Sequence, residues 1–157
     1  MTLEVEVFNK QRKIKISLQK VKTVVKKILK LLIKYKDKKL LRIFKNRKHS
    51  LAVSIIFLSS KKMQEINFKY RSKRSTTDVL SFSYLTKNSD KVFLGEVLID
   101  PRRVFFQSKI YGITFWQELK RVITHGILHL LNYDHEKSLF NARKMKIMEN
   151  KILQALS

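Results

Sequence analysis

The run LAVSIIFL, Leu51 to Leu58, restricts the fold more than any other stretch of the chain. It is short, rich in branched side chains and apolar at all but Ser54, the mark of a strand buried on both faces. A strand of that kind needs helices packed around its sheet. The flanking sequence supplies them. Leu18, Val21, Val24, Val25, Ile28, Leu29 and Leu32 fall at helical spacing, with Lys20, Lys26, Lys27 and Lys30 on the other sides.

Further elements follow from local signals. Leu3, Val5 and Val7 alternate with Glu4 and Glu6, which predicts an opening strand. The polar tract from Lys34 to Ser50, broken by an apolar stretch at Leu40–Phe44, reads as a loop. Ser59 or Ser60 caps a short helix holding Met63, Ile66 and Phe68. Asp78–Tyr84 and Val92–Ile99 read as strands joined by a hairpin loop at Asn88, Ser89 and Asp90. Pro101 opens a helix that Gly112 closes. Thr114 and Gln117 form a capping box for a helix to about Leu131, and a last helix spans Glu136 to Ala155. With no repeat and no linker, the expectation is one α+β domain over residues 1–157, about four strands in its sheet.

Composition narrows the function classes. There is no cysteine, which excludes disulfides, thiolate metal sites and a cysteine nucleophile and suits a reducing, cytoplasmic setting. The N-terminal MTLEVEVFNK is no signal peptide, and no apolar run is long enough to predict a membrane span. Lys and Arg number 35 against 12 Asp and Glu, a net charge of +23. Such an excess attracts polyanions. A lysine-rich genome composition is the other explanation, since 26 of the 35 cations are Lys and Gly and Pro are scarce.

Three of the four histidines lie in THGILHLLNYDH, Thr124 to His135. His125 and His129 are one helical turn apart, so their rings project side by side. That pair alone also fits two surface or satisfied core histidines. His135 is too far along a continued helix to share their face, but Asn132 tolerates the left-handed conformation that ends helices. A bend there swings His135 back. The pattern H-x3-H-x5-H then describes three nitrogen ligands around one ion, with a fourth position open to water as in catalytic sites. Gly126 occupies the place of the glutamate base in H-E-x-x-H proteases and cannot move a proton, so a zincin-type protease mechanism lacks its base. A small residue there suits close approach of another element.

The same window resembles the H-G-x-L-H-L-x-G-Y-D-H motif of the YbeY family, bacterial single-strand-specific endoribonucleases and rRNA maturation factors. The resemblance rests on His125, Gly126, Leu128, His129, Leu130, Tyr133, Asp134 and His135. Asn67, Tyr70 and Arg71, then Thr77-Asp78-Val79-Leu80-Ser81-Phe82, resemble a second family block, and Leu94-Gly95-Glu96-Val97 a third. Asn132 replaces the motif's second glycine. Arg74 and Thr76 stand where the family has an acid and a proline, changing loop charge and loosening a turn.

The resemblance implies a mixed sheet with a zincin-like metal-binding helix. It implies one zinc-type ion per chain on His125, His129 and His135, other divalent transition metals also fitting nitrogen ligands. It implies a catalytic Arg71, whose planar guanidinium suits charge growing on phosphorane oxygens. The expected activity is metal-dependent cleavage of single-stranded RNA in rRNA maturation, including the 16S 3′ end, and in ribosome quality control. The expected partners are rRNA and the small ribosomal subunit, with neither DNA nor membrane. A ribosome-assembly factor with a structural metal is the rival reading. Asp134 is a candidate acceptor behind a ligand or a local cap, and Asp78 and Ser81 are candidate cleft residues. Glu118 is expected to pair with a basic side chain, His49 to lie on the surface, and Met145 and Met148 to be core.

Overall fold

The apolar run lies in β2 (Ser50–Phe57), an inner strand of a four-stranded sheet. A computed structural model of the chain describes residues 2–44, 50–72, 77–87, 91–134 and 138–157. His49, Arg74, Thr76, the loop at 88–90 and His135 fall outside these residues. The order of the elements is β1 (Thr2–Asn9), α1 (Leu18–Lys34), α2 (Lys38–Phe44), β2, α3 (Ser60–Arg71), β3 (Val79–Lys87), β4 (Lys91–Ile99), α4 (Pro101–Tyr111), α5 (Phe115–Leu130) and α6 (Leu139–Leu156). Strand order is β1-β2-β4-β3. β1, β2 and β4 are parallel, and β3 returns antiparallel to β4 as an edge strand. The result is an α+β domain on a mixed sheet.

Both sides of β2 are covered, as its composition requires. Leu51, Val53, Ile55 and Phe57 join the main core with α1, α5 and α6. Ile56 and Leu58 turn to the other face, where Met63 of α3 packs against them with Leu80 and Leu98. In β4 a bulge keeps both faces filled. Ala52 pairs with Phe93 but Ser54 with Glu96, so Leu94 and Gly95 together oppose Val53. The extra residue returns Val97 and Ile99 to the same core that Val92 and Leu94 enter. Gly95 makes the bulge possible: its φ is +141°, and a Cβ there would lie 2.1 Å from the Phe82 carbonyl oxygen.

Most helix ends follow the local signals. Ser17 caps α1 and Ser59 caps α3, while α4 begins at Pro101 and ends at Gly112, whose φ is +66°. Two elements differ from expectation. Residues Lys38–Phe44 form the helix α2 instead of a loop, because Asp37 Oδ1 accepts from the Leu40 backbone amide and Leu40 and Ile43 are buried. The last helix begins at Leu139, later than expected, because Ser138 caps it. No described helix is long and apolar enough to cross a membrane.

Candidate active site

The capping box forms as the sequence predicts: Thr114 Oγ1 accepts from the Gln117 amide and Gln117 Oε1 from the Thr114 amide. α5 then runs against β3 and β4 with Gly126 at the contact. A Cβ on Gly126 would stand 2.6 Å from Val97 Cγ1 and 3.2 Å from Val79 Cγ2. The close approach lets Ser81 Oγ donate to the Gly126 carbonyl at 2.8 Å, and Ser83 Oγ to that of Leu130 at 3.5 Å. Ser81 thus holds the helix to the edge strand.

His125 and His129 leave the flank of α5 and converge. Their Nε2 atoms are 3.1 Å apart, with ring centroids at 4.7 Å. Behind them, His125 Nδ1 lies 3.2 Å from Glu149 Oε2 on α6. A carboxylate only accepts, so Nδ1 carries the hydrogen and Nε2 is the nitrogen turned toward His129. Two imidazoles on one tetrahedral zinc, at about 2.0–2.1 Å each, have nitrogens roughly 3.3 Å apart. The pair has that spacing within a few tenths of an ångström, and both rings are partly exposed. Two nitrogens so placed suit a shared divalent ion, and among the described residues no group of three His, Asp or Glu side chains gathers around one.

Arg121, one turn before His125, contacts three carboxylates: Glu118 at 2.5 Å, and Asp78 and Glu149 at 3.8 Å. Glu118 and Glu149 are buried. Lys146 is a further cation within electrostatic range of Glu149. Burial works against ionising Glu149, yet the hydrogen bond from His125 and the cationic neighbours, His125, Lys146 and Arg121, outweigh it and hold the carboxyl below its ordinary range. For Arg121, burial works against its charge, but the hydrogen bond and charge of Glu118, with Asp78 and Glu149, keep its pKa above the usual value.

The turn toward His135 is rigidly built. Asn132 has φ +67°. Its amide bonds the His129 carbonyl at 3.0 Å and that of Tyr133 bonds Leu128 at 3.1 Å, the paired bonds of a Schellman ending. Tyr133 is buried and its hydroxyl donates to Asp37 Oδ2. Lys39 Nζ adds a bond to the Asn132 carbonyl at 2.9 Å. The helix therefore ends where the sequence predicts, and the chain direction is fixed two residues before His135.

Arg71 stands apart from the histidines. It is exposed in the last turn of α3, which packs on the sheet face opposite α5. Its neighbour Tyr70 touches Phe82 of edge strand β3. Asp78 reaches the cluster behind the histidines through Arg121, and Asp134 is partly buried. Glu118 pairs with Arg121 as expected, and Met145 is core with Met148 packed against it. Glu149 and Arg121 were not anticipated. One signal for Glu149 was present: it falls between Met145 and Ile152 at helical spacing, an acid on an otherwise apolar stripe.

Comparison with known proteins agrees in one direction. The family model described as Endoribonuclease YbeY matches residues 6–157. A protein named Endoribonuclease YbeY from Thermodesulfovibrio yellowstonii is 52% identical over 157 residues, 99% of each chain. Another of that name from Aquifex aeolicus is 36% identical over 109 residues, 69% of this chain and 73% of the relative. A solution structure from Thermotoga maritima matches with TM-score 0.53 and 26% identity, covering 96% of this chain and 87% of that one.

Proposed function

From the premise that the chain belongs to the YbeY family, we propose that it is a metal-dependent endoribonuclease that cuts single-stranded RNA. Its substrates in this reading are rRNA precursors, including the 16S 3′ end, met on or near the small ribosomal subunit. The observation that carries it is the convergence of His125 Nε2 and His129 Nε2 at 3.1 Å in front of the Glu149 carboxylate. These two residues and His135 would hold one zinc or a similar divalent ion, making α5 a zincin-like metal-binding helix in a domain that takes up the whole chain.

A bound ion supplies a water of lowered pKa or polarises a phosphoryl oxygen. The chain's own residues do the rest. Glu149 orients His125, and Ser81 holds the helix against the edge strand. Arg71, on its flexible stem next to Tyr70, is assigned to the phosphate oxygens, where charge grows as the phosphodiester is attacked. Gly126 is packed on Val97 and carries no proton, so the H-E-x-x-H protease mechanism has no base here.

The test incubates the purified protein with single-stranded RNA, with and without chelator, beside H129A and R71E. Cleavage by the untreated protein, lost in each of the other three, is expected. Cleavage that persists equally in all of them would overturn the site. Intact RNA alongside metal-dependent ribosome binding would favour an assembly factor instead.

A further inference from the structure

The sheet face opposite the histidines carries a row of aromatic rings at its free edge. Along β3, Ser81 and Ser83 face α5 and bond its carbonyls, so Phe82 and Tyr84 face the other way. Tyr70 of α3 meets Phe82 edge to face, with centroids 5.4 Å apart and planes at 69°. Tyr84 lies close to Glu96 of β4 and within electrostatic range of Tyr70. Both tyrosines are well exposed, Tyr70 at 61% and Tyr84 at 53%. Phe82 braces the Tyr70 ring, and both tyrosines face water.

The charge around them is mainly positive, with Glu96 the acid beside Tyr84. α3 brings Lys61, Lys62, Lys69 and Arg71 against the single acid Glu65. Lys69 Nζ lies 5.4 Å from the Tyr70 ring centroid. Ordered aromatic faces among cations form the surface that single-stranded nucleic acids use: cations follow the phosphates, and every unpaired base offers a π-face to stack. A base-paired duplex hides those faces inside its own stack.

We propose that Tyr70, Phe82 and Tyr84 form a stacking platform for unpaired RNA bases, beside Arg71 and across the edge strand from the histidine pair. The inference rests on the RNA-cleaving reading and adds to it a base-binding surface that selects single strands. RNA crossing β3 would have its bases on the platform, its phosphates near Arg71 and its onward path toward α5. A protein partner fits less well, because the helix that frames the rings carries a net positive charge and the chain as a whole is strongly cationic.

The experiment measures binding of a short single-stranded RNA, and of the same sequence as a duplex, to the full-length protein in chelator. Y70A/Y84A is compared with Y70F/Y84F, with melting curves and sedimentation for each. The alanine pair should bind the single strand about tenfold or more weakly. The phenylalanine pair should restore binding, while duplex affinity, salt dependence and melting temperature stay unchanged. Equal single-strand binding by wild type and Y70A/Y84A overturns the platform and leaves the RNA reading standing. So does an equal loss on single strand and duplex, or a change confined to self-association. Failure of the wild type to bind any RNA overturns both.

Discussion

His125 Nδ1 and Glu149 Oε2 stand 3.2 Å apart where α6 packs on α5, so a helix 24 residues away in sequence sets the orientation of a proposed metal ligand. Outer carboxylates of this kind typically change metal affinity by about 10–100-fold. E149A is therefore expected to weaken binding of zinc or cobalt by that range in a competition titration with a chelator. E149Q still offers an oxygen to Nδ1 and should lose less. Unchanged affinity and an unchanged cobalt absorption spectrum in E149A would remove Glu149 from the site.

Tyr133 couples the turn before His135 to the start of α2 through Asp37. Burial first, then the hydrogen bond and the charge of Asp37, raise the Tyr133 pKa above its ordinary value. The unfolded chain therefore releases this proton at lower pH than the folded one. Its contribution is fully present below about pH 10 and is lost as pH rises through and beyond that value. Y133F should cost about 1–3 kcal/mol near neutrality, because the buried Asp37 loses a donor. It should also show a flatter loss of stability in alkaline denaturant titrations. An alkaline profile identical to wild type would contradict this.

Gly126 is in a helix interior, where alanine is usually better by about 1 kcal/mol. Here the added Cβ would meet Val97 Cγ1 at 2.6 Å, on a branched, stiff side chain. Overpacking costs about 1–3 kcal/mol, which outweighs the gain in propensity. G126A is expected to lower the melting temperature. A rise would show that α5 can lift off the sheet freely.

Asn132 occupies the left-handed region, which costs about 1–2 kcal/mol for ordinary side chains. N132G should keep or slightly raise stability and retain metal binding. N132A should lose about 1 kcal/mol. Equal stability of all three proteins would mean that the turn is not held in this conformation in solution.

The parts of the fold legible in the sequence are those whose interactions close within a few residues. The Thr114–Gln117 box, Pro101 and Gly112 around α4, the Asn132 bend and the one-turn spacing of His125 and His129 all belong here. The helix α2 was not legible. Its cap residue Asp37 also receives Tyr133, 96 residues away, and the burial of Leu40 and Ile43 depends on elements not yet written when the segment is read. The role of Gly126 was half legible: its smallness was clear, but its neighbour Val97 was not.

The sequence by itself determined the helices and strands other than α2, the covered strand at Leu51–Leu58 and two imidazoles on one helix face, because periodicity and capping are local properties of the chain. Tertiary structure decided what surrounds them. The bulge at Gly95 sets which side chains of β4 enter the core, Arg121 gathers acids from α5, α6 and the residue just before β3, and Glu149 reaches His125 only once α6 has packed on α5. Tyr70 of α3 and Phe82 of β3 likewise meet only after α3 has settled on Leu80 and Leu98. Contacts between distant segments depend on packing and on compensated burial of charge, and neither leaves a fixed spacing in the sequence.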